Sequence, residues 1–338
     1  MHQRGVIVLE HKRAYLGMLA LAVAVRGLAA TGVDALAQRR LLETFDGARF
    51  GAVTMALATG TELPPQETEQ RVWVLHKLPA AEKEAPPAIA PFTAEEAAEI
   101  GGNSGYTADA KALLLAPLKF SIPENEPAVL IVHTHTSEAY TQSAGYTYDE
   151  SDSMRTTDQS QSVVRVGDVI AQRLSERGIE TLHDTSFHDY PAYNGAYARS
   201  LEAVQAQLEK TPSVQVVLDI HRDANEHPKT VSVGGETAAQ LMFVVGTDAG
   251  GLSHPDWRDN LSFALKLHAA AERRAPGICK AIDLRKERFN QHVRPGALII
   301  EIGATGNTLP EALTAANVLA DALCDVLISQ RVSRGVPG

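Results

Sequence analysis

The sequence has few cysteines. Its 338 residues include two, Cys279 and Cys324. Two cysteines are too few for a disulfide framework or for a cysteine-based zinc site, although a single disulfide between them is compatible with the count. We expect both to be small buried apolar side chains. The cysteine content therefore says little about the compartment in which the protein works.

Positive charge is also scarce. Lysine and arginine number 31 against 41 aspartates and glutamates, which gives a formal net charge of −10 at pH 7. A nucleic-acid-binding surface usually requires a basic patch, and an acidic surface repels anionic polymers. The composition argues against a nucleic-acid partner. The hydrophobic content of 44% and the charged content of 21% are otherwise those of an ordinary globular protein.

No apolar run is long enough to be an unambiguous membrane span. The nearest is at the N-terminus, where basic residues at 11–13 precede an uncharged stretch at 14–25, and Arg26 separates this from a small apolar stretch at 27–33. A bilayer span needs about 20 predominantly apolar residues. A basic flank before a short apolar core is typical of an export signal or an N-terminal anchor. We predict one of these for residues 1–33, with a buried amphipathic helix as the alternative.

The composition divides the rest of the chain in two. Residues 34–117 show only weak signs of secondary structure and contain a stretch rich in Pro, Ala and Glu, which is typical of a linker. From residue 118 onward, short apolar runs such as "AVLIV", "VQVVLDI", "LMFVV" and "GALII" alternate with amphipathic helical patterns. We predict a variable juxtamembrane and linker region over 34–117 and a single domain over 118–338.

The alternation over 118–338 predicts the fold class. Continuous apolar runs are expected of strands that are buried on both faces, as in parallel sheets. We therefore predict an α/β fold with a mostly parallel, twisted sheet and helices on both faces, preceded by an N-terminal helix and a linker.

Polar residues follow three of the apolar runs. The first run leads into His133, His135 and Glu138, the second into His221, and the last into Glu301. In open parallel sheets, ligands bind beyond the carboxyl ends of the strands. Two histidines and a carboxylate, with water as the fourth ligand, are the usual ligands of a catalytic zinc, and a further glutamate can act as general base. The sequence predicts such a site, with polar turn residues of no special function as the alternative.

The spacing leaves the third ligand open. Glu138 follows His135 by three residues, so a tight turn would bring both to one ion. On a strand, His133 would share a face with His135 at a distance of about 6.6 Å. The remaining histidines show no partner pattern, and we do not predict them as ligands: His183, His188, His227, His254, His268 and His292.

The motifs together resemble the stage II sporulation protein P family of cell-wall hydrolases, itself similar to zinc-dependent N-acetylmuramoyl-L-alanine amidases. The resemblance covers roughly residues 125–330 and rests on "HTHTSEAY", "VVRVGDVIAQRL", "YNGAYARS", "LDIHRDA", "LMFVVGTD" and "EIGATGNTLPEA", in this order. It implies the phosphorylase/hydrolase-like fold of zinc amidases, Zn²⁺ as cofactor, and an N-terminal membrane anchor followed by a variable linker. Nickel or cobalt would suit the same ligand types.

The resemblance also implies a reaction and a setting. The reaction is hydrolysis of the amide between N-acetylmuramic acid and the L-alanine of the stem peptide, and some members look able to cut peptide cross-links. The setting is septal peptidoglycan between mother cell and forespore during engulfment, with the catalytic domain outside the cytoplasm. A membrane scaffold and a glycan-cleaving partner like stage II sporulation protein D are implied. The alternatives are a peptidoglycan endopeptidase or carboxypeptidase, an inactive membrane-anchored wall-binding module, and an intracellular metal hydrolase.

Carried over residue by residue, the resemblance assigns His135 and His221 as zinc ligands and Glu301 as the catalytic glutamate. The broader amidases take a glutamate ligand from the first helix, but that region here offers only Asp158 and Asp168. Asp168 lies two turns into the helix, where we expect it to be solvated. We therefore predict Glu138 as the third ligand, followed by His133 and then Asp158.

Three further residues border the predicted site. We predict that Arg222, next to a ligand, binds a carboxylate of the acidic stem peptide, with a surface salt bridge to Asp223 as the alternative. Arg199, in "YNGAYARS", is predicted to bind substrate, although capping and packing would explain it equally well. Asp219 shares a strand face with His221 and is expected either to orient it or to be a buried structural aspartate.

Overall fold

The structure, a computed structural model, describes residues 72–77 and 89–332. The chain separates into two units, Met1–Glu69 and Gln70–Gly338, and the described residues all belong to the second. The predicted signal or anchor over 1–33 lies outside the described residues, as do 34–71 and 78–88 of the predicted linker. No helix in the described ranges is long and apolar enough to cross a membrane.

The described ranges contain strands, α-helices and three short 3-10 helices. The strands are β1 (Trp73–His76), β2 (Ile100–Gly102), β3 (Ile122–Pro123), β4 (Val129–Val132), β5 (Thr181–Asp184), β6 (Val216–Asp223), β7 (Thr230–Val233), β8 (Glu236–Ala239), β9 (Leu241–Gly246), β10 (Ile282–Arg285), β11 (Gly296–Ala304) and β12 (Arg331–Val332). The α-helices are α1 (Ala110–Leu115), α2 (Val163–Glu176), α3 (Ala196–Lys210), α4 (Trp257–Arg274) and α5 (Leu309–Ile328). The 3-10 helices are Ala94–Glu96, Gln159–Gln161 and Gln291–Val293.

Eight strands form one mixed sheet in the order β1-β5-β4-β6-β11-β9-β10-β2. Its centre is parallel, since β4 pairs in parallel with β5 and β6, and β6 pairs in parallel with β11. The strand direction reverses at two places. Strand β9 is antiparallel to β11, and the edge strand β1 is antiparallel to β5. The predicted α/β class with a mostly parallel sheet is confirmed.

Alternate residues of β4 enter two different cores. Val129 and Ile131 pack on the face covered by α2, α4 and α5. Leu130 and Val132 pack on the opposite face, where α3 contributes to the core. Helices therefore lie on both faces, as predicted. Because both faces are buried, each aliphatic side chain contributes about 1.5–3 kcal/mol whichever way it points, which explains the continuous apolar run.

The folded domain begins earlier in the chain than predicted. Strands β1 and β2 both fall in the region 34–117 assigned to the linker, yet they form the two edges of the main sheet, paired with β5 and β10. Helix α1, from the same region, packs against α4. Edge strands are short and exposed on one side, so their sequences lack the continuous apolar run that marks the central strands.

Helix α5 starts directly after the last central strand because its first turn is capped. The side chain of Thr308 accepts from the backbone three residues on, and Glu311 accepts the Thr308 N–H at 3.0 Å. This reciprocal arrangement satisfies two of the free N–H groups of the helix start. It fixes the point at which the chain leaves β11, the strand that carries Glu301.

Candidate metal centre and catalytic glutamate

The ends of β4, β6 and β11 lie side by side, as the predicted site requires. In the pairing of β6 with β11, His221 stands opposite Glu301. The ring of His135, in the loop after β4, meets the ring of His221 edge-on with centroids 5.3 Å apart. His221 Nδ1 lies 3.4 Å from Oε2 of Glu138. The structure thus gathers the four residues predicted as ligands and base at one edge of the sheet.

Three buried polar atoms at this edge have no hydrogen-bond partner among the described residues: His135 Nδ1, His221 Nε2 and Glu301 Oε2. Of these, His221 Nε2 does have an ion-pair contact, since it lies 2.8 Å from Oδ1 of Asp219. Buried polar atoms nearly always have a partner. Two imidazoles beside carboxylates are the donor set that zinc prefers, so the residues fit a divalent metal ion.

The predicted ligands are not drawn together as tightly as a bound ion would require. The donor atoms of His135, Glu138 and His221 do not all lie within 4.8 Å of one another. Ligands about 2 Å from a shared tetrahedral ion are closer to each other than that. Binding of one ion by all three residues therefore implies a rotation of at least one side chain.

The charges around His221 favour its protonated form. Burial opposes a charge there, but the carboxylates of Asp219 and Glu138 outweigh it and raise the pKa of His221 well above its ordinary value. Burial likewise acts to raise the pKa of Glu138, but the hydrogen bond and charge of His221, aided by Arg222, lower it to about 2. A metal ion held by both would replace the proton on His221.

Glu301 has the opposite electrostatics. Burial raises its pKa to about 8, against the attraction of His221, and the charge of Glu138 adds to the rise. Of the two glutamates at this edge, Glu138 is therefore ionised at neutral pH and Glu301 holds a proton that it can exchange. Two carboxyl groups with pKa values pushed apart are typical of a division between a charged and a proton-carrying role.

Asp219 has both of the functions that the sequence left open. Its two oxygens accept from the backbone N–H and the hydroxyl of Thr134 at 2.8 and 2.6 Å, which holds the turn after β4. It also faces His221. Burial would raise its pKa, but His221 and the two hydrogen bonds from Thr134 lower it to about 2. Asp219, ionised at neutral pH, thus ties the β4 turn to His221.

His133, the second candidate for the third ligand, contacts the backbone of Ile220 and the ring of His183. Its Nδ1 lies 2.9 Å from the carbonyl oxygen of Ile220, and its Nε2 lies 2.8 Å from Nε2 of His183. Strand pairing of β4 ends at Val132, so His133 and His135 leave it in a turn instead of sharing one strand face. Because both nitrogens of His133 already have partners, the structure favours Glu138 over His133.

The two aspartates near the start of α2 also lie away from the ligands. Asp158 caps the 3-10 helix Gln159–Gln161, where its side chain accepts from the N–H of Ser160. Asp168, expected to be solvated, instead lies 3.1 Å from Nδ1 of His183 and is only partly exposed.

Arg222 supports the site from within the protein. It is buried; its Nε donates to the carbonyl of Ala139 at 3.0 Å and an Nη to that of Met154 at 3.2 Å. Its backbone N–H donates to Glu138 at 3.2 Å. The structure therefore shows Arg222 positioning neighbouring groups, and its contact with substrate stays a prediction. The alternative, a surface salt bridge between Arg222 and Asp223, is not formed. Asp223 pairs with Lys280 at 2.9 Å.

Arg199 organises the loop before α3. It donates to the backbone carbonyls of His188 at 2.7 Å and Asn194 at 3.1 Å, and also to that of Ala192. Every donor nitrogen of its guanidinium is used in this way. These contacts fit the alternative that Arg199 serves capping and packing, and its contact with substrate stays a prediction.

Tyr193, at the end of that loop, covers His135. The two rings stack with centroids 4.6 Å apart, and the Tyr193 hydroxyl lies 3.3 Å from His135 Nε2. The guanidinium of Arg155 lies 4.7 Å from the Tyr193 ring centroid. The same guanidinium pairs with Asp189 at 2.7 Å and lies 3.6 Å from Glu138. One arginine therefore connects the stacked ring to the predicted carboxylate ligand.

Comparison with known proteins decides the family. The family model described as stage II sporulation protein P matches residues 54–324. The chain belongs to the stage II sporulation protein P family. Stage II sporulation protein P of Bacillus subtilis (strain 168) is 28% identical over 214 residues, 60% of this chain and 51% of that protein. The chain thus spans about half the length of this curated relative. No solved structure matches the chain.

Membership of the stage II sporulation protein P family confirms the resemblance drawn from the motifs. It does not by itself reveal Arg155, Asp189 and Tyr193, which the sequence analysis missed. The three lie in polar loops, where no periodicity marks a side chain as directed inward. The available signal was weak: Tyr193 directly precedes the Asn-Gly turn of "YNGAYARS", a motif that was noticed for its arginine.

Proposed function

We propose that this stage II sporulation protein P family member is a metal-dependent peptidoglycan hydrolase. The bond cleaved is the amide between N-acetylmuramic acid and the L-alanine of the stem peptide, in septal peptidoglycan remodelling during sporulation engulfment. The observation that supports this most is the convergence of His135, His221 and Glu301 on neighbouring strand ends, where His135 Nδ1 and Glu301 Oε2 are buried without a hydrogen-bond partner among the described residues.

His135, Glu138 and His221 are the residues that would hold the ion. Two imidazoles and one carboxylate are the usual protein ligands of a catalytic Zn²⁺, and nickel or cobalt would suit the same donors. A bound Zn²⁺ would supply a water with a pKa of about 7 and would polarise the carbonyl of the scissile amide. The ionised Asp219 keeps His221 in place, His221 and Arg222 keep Glu138 charged, and Arg155 lies 3.6 Å from it.

Glu301 has the properties of the group that moves protons. Its pKa of about 8 lies near neutral pH, where a side chain both accepts and releases a proton readily. Its place opposite His221 on paired strands sets it beside the ligands without depending on a loop. The charge of a divalent ion held beside Glu301 would lower this pKa and favour the carboxylate form, and we infer that the carboxylate of Glu301 takes the proton of the attacking water and delivers it to the leaving amide nitrogen.

The cellular setting is proposed from the family. It comprises an N-terminal membrane anchor, a catalytic domain outside the cytoplasm between mother cell and forespore, and a membrane scaffold. A glycan-cleaving partner similar to stage II sporulation protein D belongs to the same proposal. The described residues bear on the catalytic domain alone.

The test is digestion of purified peptidoglycan by the purified full chain, with and without a chelator, with products identified by mass spectrometry. Chelator-sensitive release of intact stem peptides, leaving free lactyl groups on the glycan, is the expected result. Release of D-amino acids or splitting of cross-links alone would replace the amidase by a peptidase. Binding to peptidoglycan without cleavage would overturn the enzyme in favour of a wall-binding module.

Glu301→Gln tests the assigned base. We expect turnover to fall at least a hundredfold while zinc content and the circular dichroism spectrum stay those of the wild type. Glu287→Gln, the same chemical change at a side chain that is 41% exposed, should leave the rate unchanged. Full activity of Glu301→Gln would remove Glu301 from the mechanism.

A further inference from the structure

Three side chains from three different elements lie together on the face of the sheet that α2 covers. They are His76 of β1, Asp168 of α2 and His183 of β5, and each offers a donor atom within 4.8 Å of the other two. In the β1–β5 pairing Val74 stands opposite His183. His76 is two residues further along, so it points to the same face as His183. His183 Nδ1 and Asp168 Oδ1 are 3.1 Å apart.

We propose that His76, Asp168 and His183 form a second metal site that takes a divalent transition-metal cation such as Zn²⁺. Two imidazoles and a carboxylate match the ligand preference of that class of ion. The site is distinct from the set His135, Glu138 and His221 and does not depend on the proposed hydrolase function.

The hydrogen bonds around His183 place a proton or a cation next to its Nδ1. The carbonyl oxygen of Ile220 only accepts, so Nδ1 of His133 donates to it and Nε2 of His133 is left as an acceptor. That acceptor is filled by Nε2–H of His183 at 2.8 Å. Nδ1 of His183 then faces the carboxylate of Asp168, which also accepts, so a proton or a metal ion lies between them.

A metal ion fits this position as well as a proton does. Metal-ligating histidines typically donate their second ring N–H to a fixed acceptor, which sets the tautomer of the ligand. Here His133 is that acceptor for His183, and it is fixed in turn by the backbone of β6.

His76 supplies the third donor. Its Nε2 is buried and has no hydrogen-bond partner in the part of the chain that the structure describes. Burial first, and then the neighbouring His183, lower the pKa of His76, which keeps a ring nitrogen free of its proton. Burial acts to raise the pKa of Asp168, but His183 and His76 lower it overall. His76 and Asp168 thus carry the protonation states that metal ligands need.

The distances require only a small adjustment. Ligands about 2.0 Å from a tetrahedral ion stand about 3.3 Å from one another, which His183 and Asp168 nearly match already. His76 would move towards them by up to about 1.5 Å. A side chain on an edge strand can make this movement by a rotamer change. Asp168 is 39% exposed while His183 is fully buried, so an ion would enter from the side of Asp168.

Gly167 makes room for the cluster. A Cβ at this position would lie 2.7 Å from Nε2 of both His133 and His183. Helix α2 therefore approaches the two imidazoles as closely as a residue without a side chain permits, which brings Asp168, the next residue, into reach of His183.

A second group in the described residues meets the same distance criterion but suits a metal less well. It consists of His268, Glu272 and Cys279. The two oxygens of Glu272 each accept a backbone N–H at 2.8 Å, from Gly277 and Cys279, which closes the loop after α4. Burial also raises the pKa of the Cys279 thiol far above its usual range, which disfavours the thiolate that a metal would bind.

An ion at His76, Asp168 and His183 would fasten the edge strand β1 to α2 and β5. Strand β1 has one pairing partner in the main sheet, so a bound ion would stabilise β1 more than the inner strands. Through the hydrogen bond between His183 and His133, it would also stiffen the turn that leads to His135.

The test is zinc content of the full-length protein after equilibrium dialysis, measured by elemental analysis. His135→Ala/His221→Ala removes the ligands of the other centre, and we expect this variant to retain about one zinc per chain. Adding Asp168→Asn or His76→Ala should remove it. His292→Ala, which removes another histidine with an unpartnered buried Nδ1 in the described chain, should not.

The wild type gives a measurement that does not rely on the double variant being folded. Asp168→Asn and His76→Ala should each lower the wild-type zinc content by about one per chain, with circular dichroism unchanged. Zinc should also slow hydrogen exchange of the β1 amides in the wild type but not in Asp168→Asn. Zinc content that neither substitution changes would overturn the site, whatever happens to peptidoglycan cleavage.

Discussion

Arg155 pairs with Asp189 across 2.7 Å and stands 3.6 Å from Glu138, so one cation serves two buried carboxylates. Glu138 belongs to the loop after β4, and Asp189 to the loop between β5 and α3. Asp189 in turn accepts from the backbone N–H and the hydroxyl of Ser137, at 3.1 and 2.7 Å. Arg155 therefore holds together the two loops that shape the surroundings of His135.

Replacing Arg155 by Gln should weaken the centre without unfolding the domain. Removal of a group that orients metal ligands typically costs 10- to 100-fold in metal affinity or activity, and we expect a loss of about that size. Zinc titration and peptidoglycan digestion measure it. Arg165→Gln, at an exposed position of α2, is the matched control and should behave as the wild type. An unchanged zinc affinity in Arg155→Gln would show that Glu138 is held by other contacts.

The stacked ring of Tyr193 should matter more than its hydroxyl. Tyr193→Phe keeps the stacking on His135 and loses only a hydroxyl 3.3 Å from Nε2, so we expect a change of less than about fivefold in kcat/KM. Tyr193→Ala uncovers His135 and should lower kcat/KM about tenfold or more. Tyr190→Ala, an exposed tyrosine of the same loop, provides the comparison. Equal losses in the Phe and Ala variants would assign the effect to the hydroxyl.

Gly167→Ala should destabilise the protein. The added methyl group would lie 2.7 Å from two imidazole nitrogens that are fixed in the core, and overpacking of this kind costs about 1–3 kcal/mol. The free energy of unfolding in urea measures the loss. Gly101→Ala places a methyl group where no described atom lies within 4 Å, so it should leave stability nearly unchanged. Equal stability of both variants would mean that α2 can shift away from the histidines.

Glu96 should make stability depend on acid pH. Its hydrogen bonds with Arg273, one of them 2.7 Å long, lower its pKa from 4.5 to about 2. A folded-state pKa below the unfolded value stabilises the protein above pH 4.5, and this stabilisation is lost as the pH falls towards 2. Because both side chains are still partly exposed, 30% for Arg273 and 26% for Glu96, solvent screens the pair and we expect an effect below about 1 kcal/mol.

Glu96→Gln isolates this effect. The variant should unfold at slightly lower urea concentration than the wild type at pH 7, and the difference should vanish near pH 2. Glu95→Gln, the neighbouring residue in the same 3-10 helix, is the control. A difference that persists unchanged to pH 2 would show that Glu96 acts through its shape and not through its charge.

The sequence by itself determined the central strands and the residues at their ends. Strands buried on both faces must be apolar along their whole length, so β4, β6 and β11 are visible as continuous runs. The polar residues that follow such runs, His135, His221 and Glu301, are conspicuous for the same reason. Parallel order then follows from the alternation of strands with helices, and it predicts that the three ends share one edge.

The tertiary structure decided everything that depends on which loops and edges meet. Edge strands β1 and β2 have no continuous apolar run. The inward direction of Arg155 and the internal hydrogen bonds of Arg222 and Arg199 leave no periodic trace in the sequence. The cluster of His76, Asp168 and His183 joins residues from an edge strand, a helix and an inner strand. Such contacts arise from packing between distant segments, and local sequence patterns record only the burial of each segment.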